Sequence, residues 1–153
     1  GTLMRGSDLS PRQKSIYIVG GMMVVVALQF AMRATRPYFP TPQVTAASLN
    51  ISLSAAQIVG NLAVGFVAGI TEEIFFRGGL QRWIGVIPSS LVFGAIHGIW
   101  DPAHYSMVVS ATLFGLLAGV ITKRTNSLLP MIVVHCTNNV LVHLISLTQH
   151  VWP

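Results

Sequence analysis

The chain has 153 residues, 52% of them hydrophobic and only 8% charged, with nine Lys or Arg against four Asp or Glu. At a mean hydropathy of +0.67 there is too little polar surface to cover a soluble globule, so the composition is that of an integral membrane protein. The net charge of +5 does not point to nucleic acid, because the basic residues stand at the ends of apolar segments rather than in one run. The single Cys136 excludes an internal disulfide and a thiolate zinc cage. This length has room for one all-α domain of about five spanning helices, each needing about 20 apolar residues to cross about 30 Å of hydrocarbon.

In chain order, residues 1–14 form a tail. The first apolar segment, Ser15 to Met32, lies between Arg12 and Lys14 on one side and Arg33 and Arg36 on the other. It reads as a membrane anchor over 15–33; basic residues follow it where a signal peptide would have a small-residue cleavage site. Pro37, Pro40 and Pro42 then forbid regular helix and predict an extended connection outside the bilayer over 34–53. A helical core follows over 54–148. Its first segment, Ser54 to Trp83, is unusually long and contains the stretch T-E-E-I-F-F-R. Pro88 opens a short third segment that ends before the breaker Asp101-Pro102. The fourth, Tyr105 to Thr122, carries small-residue spacings that let helices approach closely. The fifth runs from Ser127 to Leu147, leaving 149–153 as a second tail. Arg5, Arg12, Lys14, Arg82, Lys123 and Arg124 fall on one side and Arg33 and Arg36 on the other, so a cytoplasmic amino terminus is predicted.

The triplet Glu72, Glu73 and Arg77 is costly in such a chain. Each charge at mid-bilayer costs about 2.5–3.5 kcal/mol, roughly 7–11 together, while the apolar residues around them regain only about 3–6. Exposure to lipid is therefore excluded, and the charges must be paired, hydrated or enclosed. Glu73 and Arg77 have the favoured i,i+4 spacing with the acid first, and a structural ion pair accounts for them. Glu72 is left over, turned about 100° away toward another helix. Counted from the cytoplasmic ends at 1.5 Å per residue, Glu72, His97 and His135 lie about 15, 13 and 12 Å deep. Asn139 is one turn beyond His135 on the same face. A carboxylate, two imidazoles and an amide in one layer have the chemistry to polarise water and stabilise an oxyanion.

The elements E-E-I-F-F-R-G-G-L-Q from Glu72, F-G-A-I-H from Phe93 and L-L-P-M-I-V-V-H-C-T-N-N from Leu128 together resemble the CPBP family. These are intramembrane endopeptidases that include CAAX prenyl proteases and bacteriocin-processing or Abi proteins. The patterns E-E-x-x-x-R, F-x-x-x-H and H-x-x-x-N are complete and in order, which is far more specific than any one alone. The resemblance covers Ser54 to Leu147 and implies a peptide hydrolase with its site between the second, third and fifth segments. It implies that Glu72 with His97 activates water, that His135 and Asn139 stabilise the tetrahedral oxyanion, and that Glu73 and Arg77 organise the site. Its implied partners are a peptide or membrane-protein substrate, prenylated in the CAAX case, the lipid bilayer, and a partner subunit where the chain is smaller than its relatives.

No cofactor is predicted. Zinc is the alternative, with Glu72, His97 and His135 as ligands, but an amide beside His135 suits an oxyanion better than a metal. Two other functions are open to the same residues: a catalytically silent scaffold or immunity subunit bound to another membrane protein, and a small proton relay. The relay lacks a second polar layer, since the second segment otherwise offers only Gln57 and Asn61. Of the remaining polar groups, His143 reads as an interhelical contact, His104 and His150 as solvated, Asp101 as a turn residue and Cys136 as core. Trp83, Trp100 and Trp152 read as interfacial anchors.

Overall fold

The computed structural model describes residues 9–35, 38 and 55–149, with side chains to residue 143. Among these residues the chain is all helix: α1 (Pro11–Thr35), α2 (Ala55–Glu73), a π-helical stretch (Ile74–Leu80), α3 (Gln81–Ile84), α4 (Val86–Ala95), a 3-10 turn (Pro102–His104), α5 (Tyr105–Thr125) and α6 (Leu129–Gln149). Three continuous stretches are long and apolar enough to cross a membrane: Pro11–Thr35, Ala55–Ile84 and Pro102–Thr125. The 21 residues of α6 reach about 31 Å at the same rise per residue. This is a polytopic α-helical membrane protein. The third segment is shorter than the others, because α4 has ten residues and reaches only about 15 Å. The proline-rich connection, apart from Tyr38, lies outside the described residues, as do His150 and Trp152.

Local chemistry sets the helix ends. Ser10 and Gln13 make a capping box ahead of α1: Ser10 Oγ accepts the Gln13 N–H at 3.3 Å and Gln13 Oε1 accepts the Ser10 N–H at 2.9 Å, with Pro11 in the first turn. The helix therefore begins four residues before the apolar run does. Asn126 stops α5 in the left-handed conformation at φ 47°, a state asparagine tolerates. Ser127 Oγ then accepts the Leu129 N–H at 3.3 Å to start α6. The helix around Glu72 continues without a break but changes pitch, since the π turns begin on the residue after Glu73. Such turns are rare and recur at functional sites.

The helices pack chiefly as two pairs, α2 on α6 and α4 on α5, with α1 lying against both α5 and α6. Glycines set the closest approaches. A Cβ on Gly69 of α2 would stand 2.9 Å from Cys136 Sγ and 3.0 Å from its backbone nitrogen, and one on Gly94 of α4 would run into Thr112 Oγ1 and the Val108 carbonyl of α5. The core draws Val25 from α1, Phe76 from the π turns, Phe93 from α4, Phe114, Ala118 and Ile121 from α5, and Met131 and Val134 from α6. The outward faces stay apolar, for example Val64, Val67 and Phe75, as lipid contact requires. α1 is thus a packed member of the bundle as well as an anchor: Gln29 Nε2 donates to Asn138 Oδ1 on α6 at 3.1 Å.

Candidate active site

Four charged or titratable groups meet where α2 runs into its π turns and passes α6. Glu73 is fully buried and its Oε1 accepts twice, from Arg77 Nη1 at 3.0 Å and from His135 Nδ1 at 2.8 Å. The i,i+4 pair expected from sequence is present and buried. Glu72 points off at another angle, as the helical geometry requires. Its Oε2 lies 3.7 Å from His135 Nε2, and its side chain is 29% exposed. The two neighbouring glutamates thus hold opposite ends of one imidazole, one sealed and one open.

Aromatic rings enclose Arg77 and His135. Arg77 is 1% exposed, with its guanidinium carbon 4.5 Å from the Phe93 ring centroid and 5.8 Å from those of Phe76 and Phe114. Each such contact contributes about 0.5–2 kcal/mol when desolvated, which helps an arginine bear burial that its one carboxylate contact does not fully offset. Phe114 also packs on His135 at 4.6 Å between ring centroids. Nothing in the sequence singled out Phe114: it lies on α5, three and four residues from unremarkable small residues, and only the helix crossing brings it here.

His97 follows the end of α4. The helix closes at Ala95, and the His97 N–H turns back to the Gly94 carbonyl at 3.0 Å. The Phe93 carbonyl, one of those a helix end leaves free, meets His97 Nδ1 at 2.6 Å. A carbonyl only accepts, so Nδ1 carries the hydrogen and a neutral ring keeps its lone pair on Nε2. Phe93 packs between the two imidazoles, 4.7 Å from His97 and 6.0 Å from His135 by ring centroid. Among the described residues His97 makes no ion pair or hydrogen bond with either glutamate. Asn139 sits one turn beyond His135, and its Nδ2 donates to the Gly65 carbonyl of α2 at 2.9 Å, tying α6 to α2 beside the cluster.

The groups placed outside the site on sequence grounds have structural partners. Asp101 Oδ1 accepts the Ala103 N–H at 3.0 Å and Oδ2 pairs with His104 at 2.9 Å. Cys136 is buried and its thiol donates to the Phe66 carbonyl at 3.4 Å. His143 lies over Gly65. As a zinc shell the proposed ligand set does not assemble. Glu72 and His135 approach the spacing of two ligands on one zinc, about 3.4 Å for bonds of about 2.0–2.1 Å. Yet among the described residues no three His, Cys, Asp or Glu side chains are close enough to share a metal ion.

A membrane-spanning helix bundle that buries a Glu73–Arg77 pair against a histidine of another helix, with a second glutamate left partly open beside it, defines a narrow class. Residues 54–141 match the family model described as Type II CAAX prenyl endopeptidase Rce1-like, and the chain belongs to that family. The match contains every residue of the cluster, together with His97 and Asn139. No curated protein and no solved structure matched the chain.

Proposed function

We propose that the protein is an intramembrane endopeptidase that hydrolyses a peptide bond with water activated by Glu72 and His97. The observation that carries this reading is the division of labour between the two acids: Glu73 is sealed between Arg77 and His135, while Glu72 alone stays partly open beside the same imidazole. Glu72 and the free Nε2 of His97 are the two proton acceptors. A water donating one hydrogen to each would aim its remaining lone pair at a scissile carbonyl. As the tetrahedral oxyanion forms, His135 Nε2 donates to it while Nδ1 remains on Glu73, and the second hydrogen of Asn139 Nδ2 lies on the same helix face. Glu72 then returns its proton to the leaving amine. Arg77 acts through Glu73, holding the carboxylate that orients His135.

The family supports a substrate bearing a prenylated carboxyl-terminal motif, and the reaction is proposed to need no metal. The experiment is turnover of a labelled prenylated peptide by the purified chain, compared with its unprenylated form, after exhaustive dialysis against a chelator. Cleavage that survives dialysis supports both statements. Activity lost on chelation and restored by zinc would replace the metal-free mechanism. No cleavage, combined with stable capture of another membrane protein, would make this a silent scaffold of the family instead. The basic residues around Arg12, Arg82 and Lys123 support a cytoplasmic amino terminus.

A further inference from the structure

One residue beyond His97 the chain closes on itself. The Ala95 carbonyl accepts two N–H groups, from Gly98 at 3.2 Å and from Ile99 at 3.0 Å; the Gly98 carbonyl accepts the Asp101 N–H at 3.1 Å, and the Asp101 carbonyl accepts the His104 N–H at 2.9 Å. The Asp101 carboxylate adds two ties, accepting the Ala103 N–H at 3.0 Å and pairing with His104 Nδ1 at 2.9 Å. A carboxylate only accepts, so Nδ1 carries the hydrogen. The His104 side chain then returns to where the turn began: a Cβ on Gly98 would lie 2.6 Å from His104 Cβ and 3.1 Å from its Cγ. Gly98, at φ 127°, supplies both the backbone conformation and the missing side chain that this contact requires. Gly98, Asp101 and His104 therefore form a closed strap. His104 directly precedes α5, so the strap fastens the His97 turn to the helix that carries Phe114 against His135.

We propose that Asp101 and His104 are positioning residues for His97, acting through Gly98. The inference rests on the reading of His97 as a proton acceptor for the attacking water. His97 itself is tied only to the chain before it, through its N–H to the Gly94 carbonyl and its Nδ1 to the Phe93 carbonyl. The strap fixes the chain after it. With both sides held, the Cα–Cβ direction of His97 is set, and Nε2, the ring atom that faces the reaction, has one place to be. Rotation of the peptide following His97 would pull Nδ1 from the Phe93 carbonyl and swing Nε2 away. The Asp101 and His104 side chains are 47% and 45% exposed. A pair this open contributes little to global stability, so its removal separates positioning from folding.

The test joins steady-state cleavage of a labelled prenylated peptide by the full chain in detergent to melting curves and nitrogen-15 NMR of the histidine rings. His104→Ala and Asp101→Ala should each lower kcat about tenfold, within what a misplacement of about 1 Å costs, with KM and melting temperature close to wild type. Because the two side chains act as one unit, the double variant should lose no more than either alone. His104→Asn keeps a donor near the position of Nδ1 and should recover most of kcat. The rings report without turnover: the His97 Nδ1 proton should exchange slowly with solvent in the wild type and in His104→Asn, and about tenfold faster in His104→Ala, as the turn opens locally. Unchanged kcat and unchanged exchange in both alanine variants would overturn the proposal. So would losses that add in the double variant, or a fall in melting temperature that accompanies the loss of kcat and is not restored by His104→Asn. Full cleavage by His97→Ala is a separate failure: it would remove His97 from the reaction, while the exchange rates would still decide whether the strap holds its ring.

Discussion

At the scale of single residues, the structure separates two adjacent glutamates by burial. Glu73 has its charge met by Arg77 and His135 with no exposure, whereas Glu72 keeps an open face. Glu72→Gln is nearly isosteric and removes a proton acceptor, so it should reduce peptide cleavage by at least a hundredfold, in the range general bases contribute, while leaving the melting temperature close to wild type. Retention of activity within a few-fold would remove Glu72 from the role of base. Arg77→Ala should behave differently. It strands the buried Glu73 carboxylate and empties the space between Phe76, Phe93 and Phe114, at a cost of about 3–5 kcal/mol for a broken buried pair. A melting curve in detergent should fall along with activity. Unchanged melting with lost activity would instead put Arg77 in contact with the substrate. The i,i+4 pair was legible from spacing alone; that Glu73 also holds His135 was not, since residues 62 positions apart meet only through the α2–α6 crossing.

Helices decide how precisely those residues meet. α2 and α6 approach through Gly69, where even a methyl group would lie 2.9 to 3.1 Å from the sulfur, nitrogen and Cα of Cys136. Gly69→Ala should therefore push α6 away from α2, lower thermal stability and reduce cleavage by about tenfold or more, because misplacement by about 1 Å costs as much as a hundredfold in an oriented reaction. Combining it with Cys136→Ala relieves the contact with sulfur but not those with the backbone, so only partial recovery is expected. Full recovery in the double variant would show that the side chain alone sets the helix separation. The length of the second segment was readable from its apolar content. Its π turns were not, because hydropathy does not distinguish a change of pitch inside one continuous helix. Likewise, the end of α4 at Ala95 fell before the Asp101-Pro102 breaker: the chain leaves the helix where Gly98, at φ 127°, turns it, and His97 is presented from that turn.

For the whole molecule, the basic residues at the helix ends predict a cytoplasmic amino terminus. Cysteines introduced near Arg12 and Lys123, in a Cys136→Ala background, should react with an impermeant reagent from the cytoplasmic face, and those near Thr41 and His104 from the opposite face. The reverse pattern would invert the protein and with it the side from which substrate approaches. The sequence by itself determined that this is a helical membrane protein, which residues are too polar to face lipid, and which family carries the pattern E-E-x-x-x-R, F-x-x-x-H, H-x-x-x-N. The first two conclusions rest on composition, on spacing within one helix and on the cost of burying charge, all of which are local; the third rests on a resemblance carried by motifs on three segments. Only the tertiary structure decided that Glu73 binds Arg77 and His135 together, that Phe114 closes over the histidine, and that Asn139 spends a hydrogen bond on Gly65. Such facts depend on rotation and separation between helices. These follow from close contacts at glycines such as Gly69 and Gly94, and no periodicity within a single segment records them.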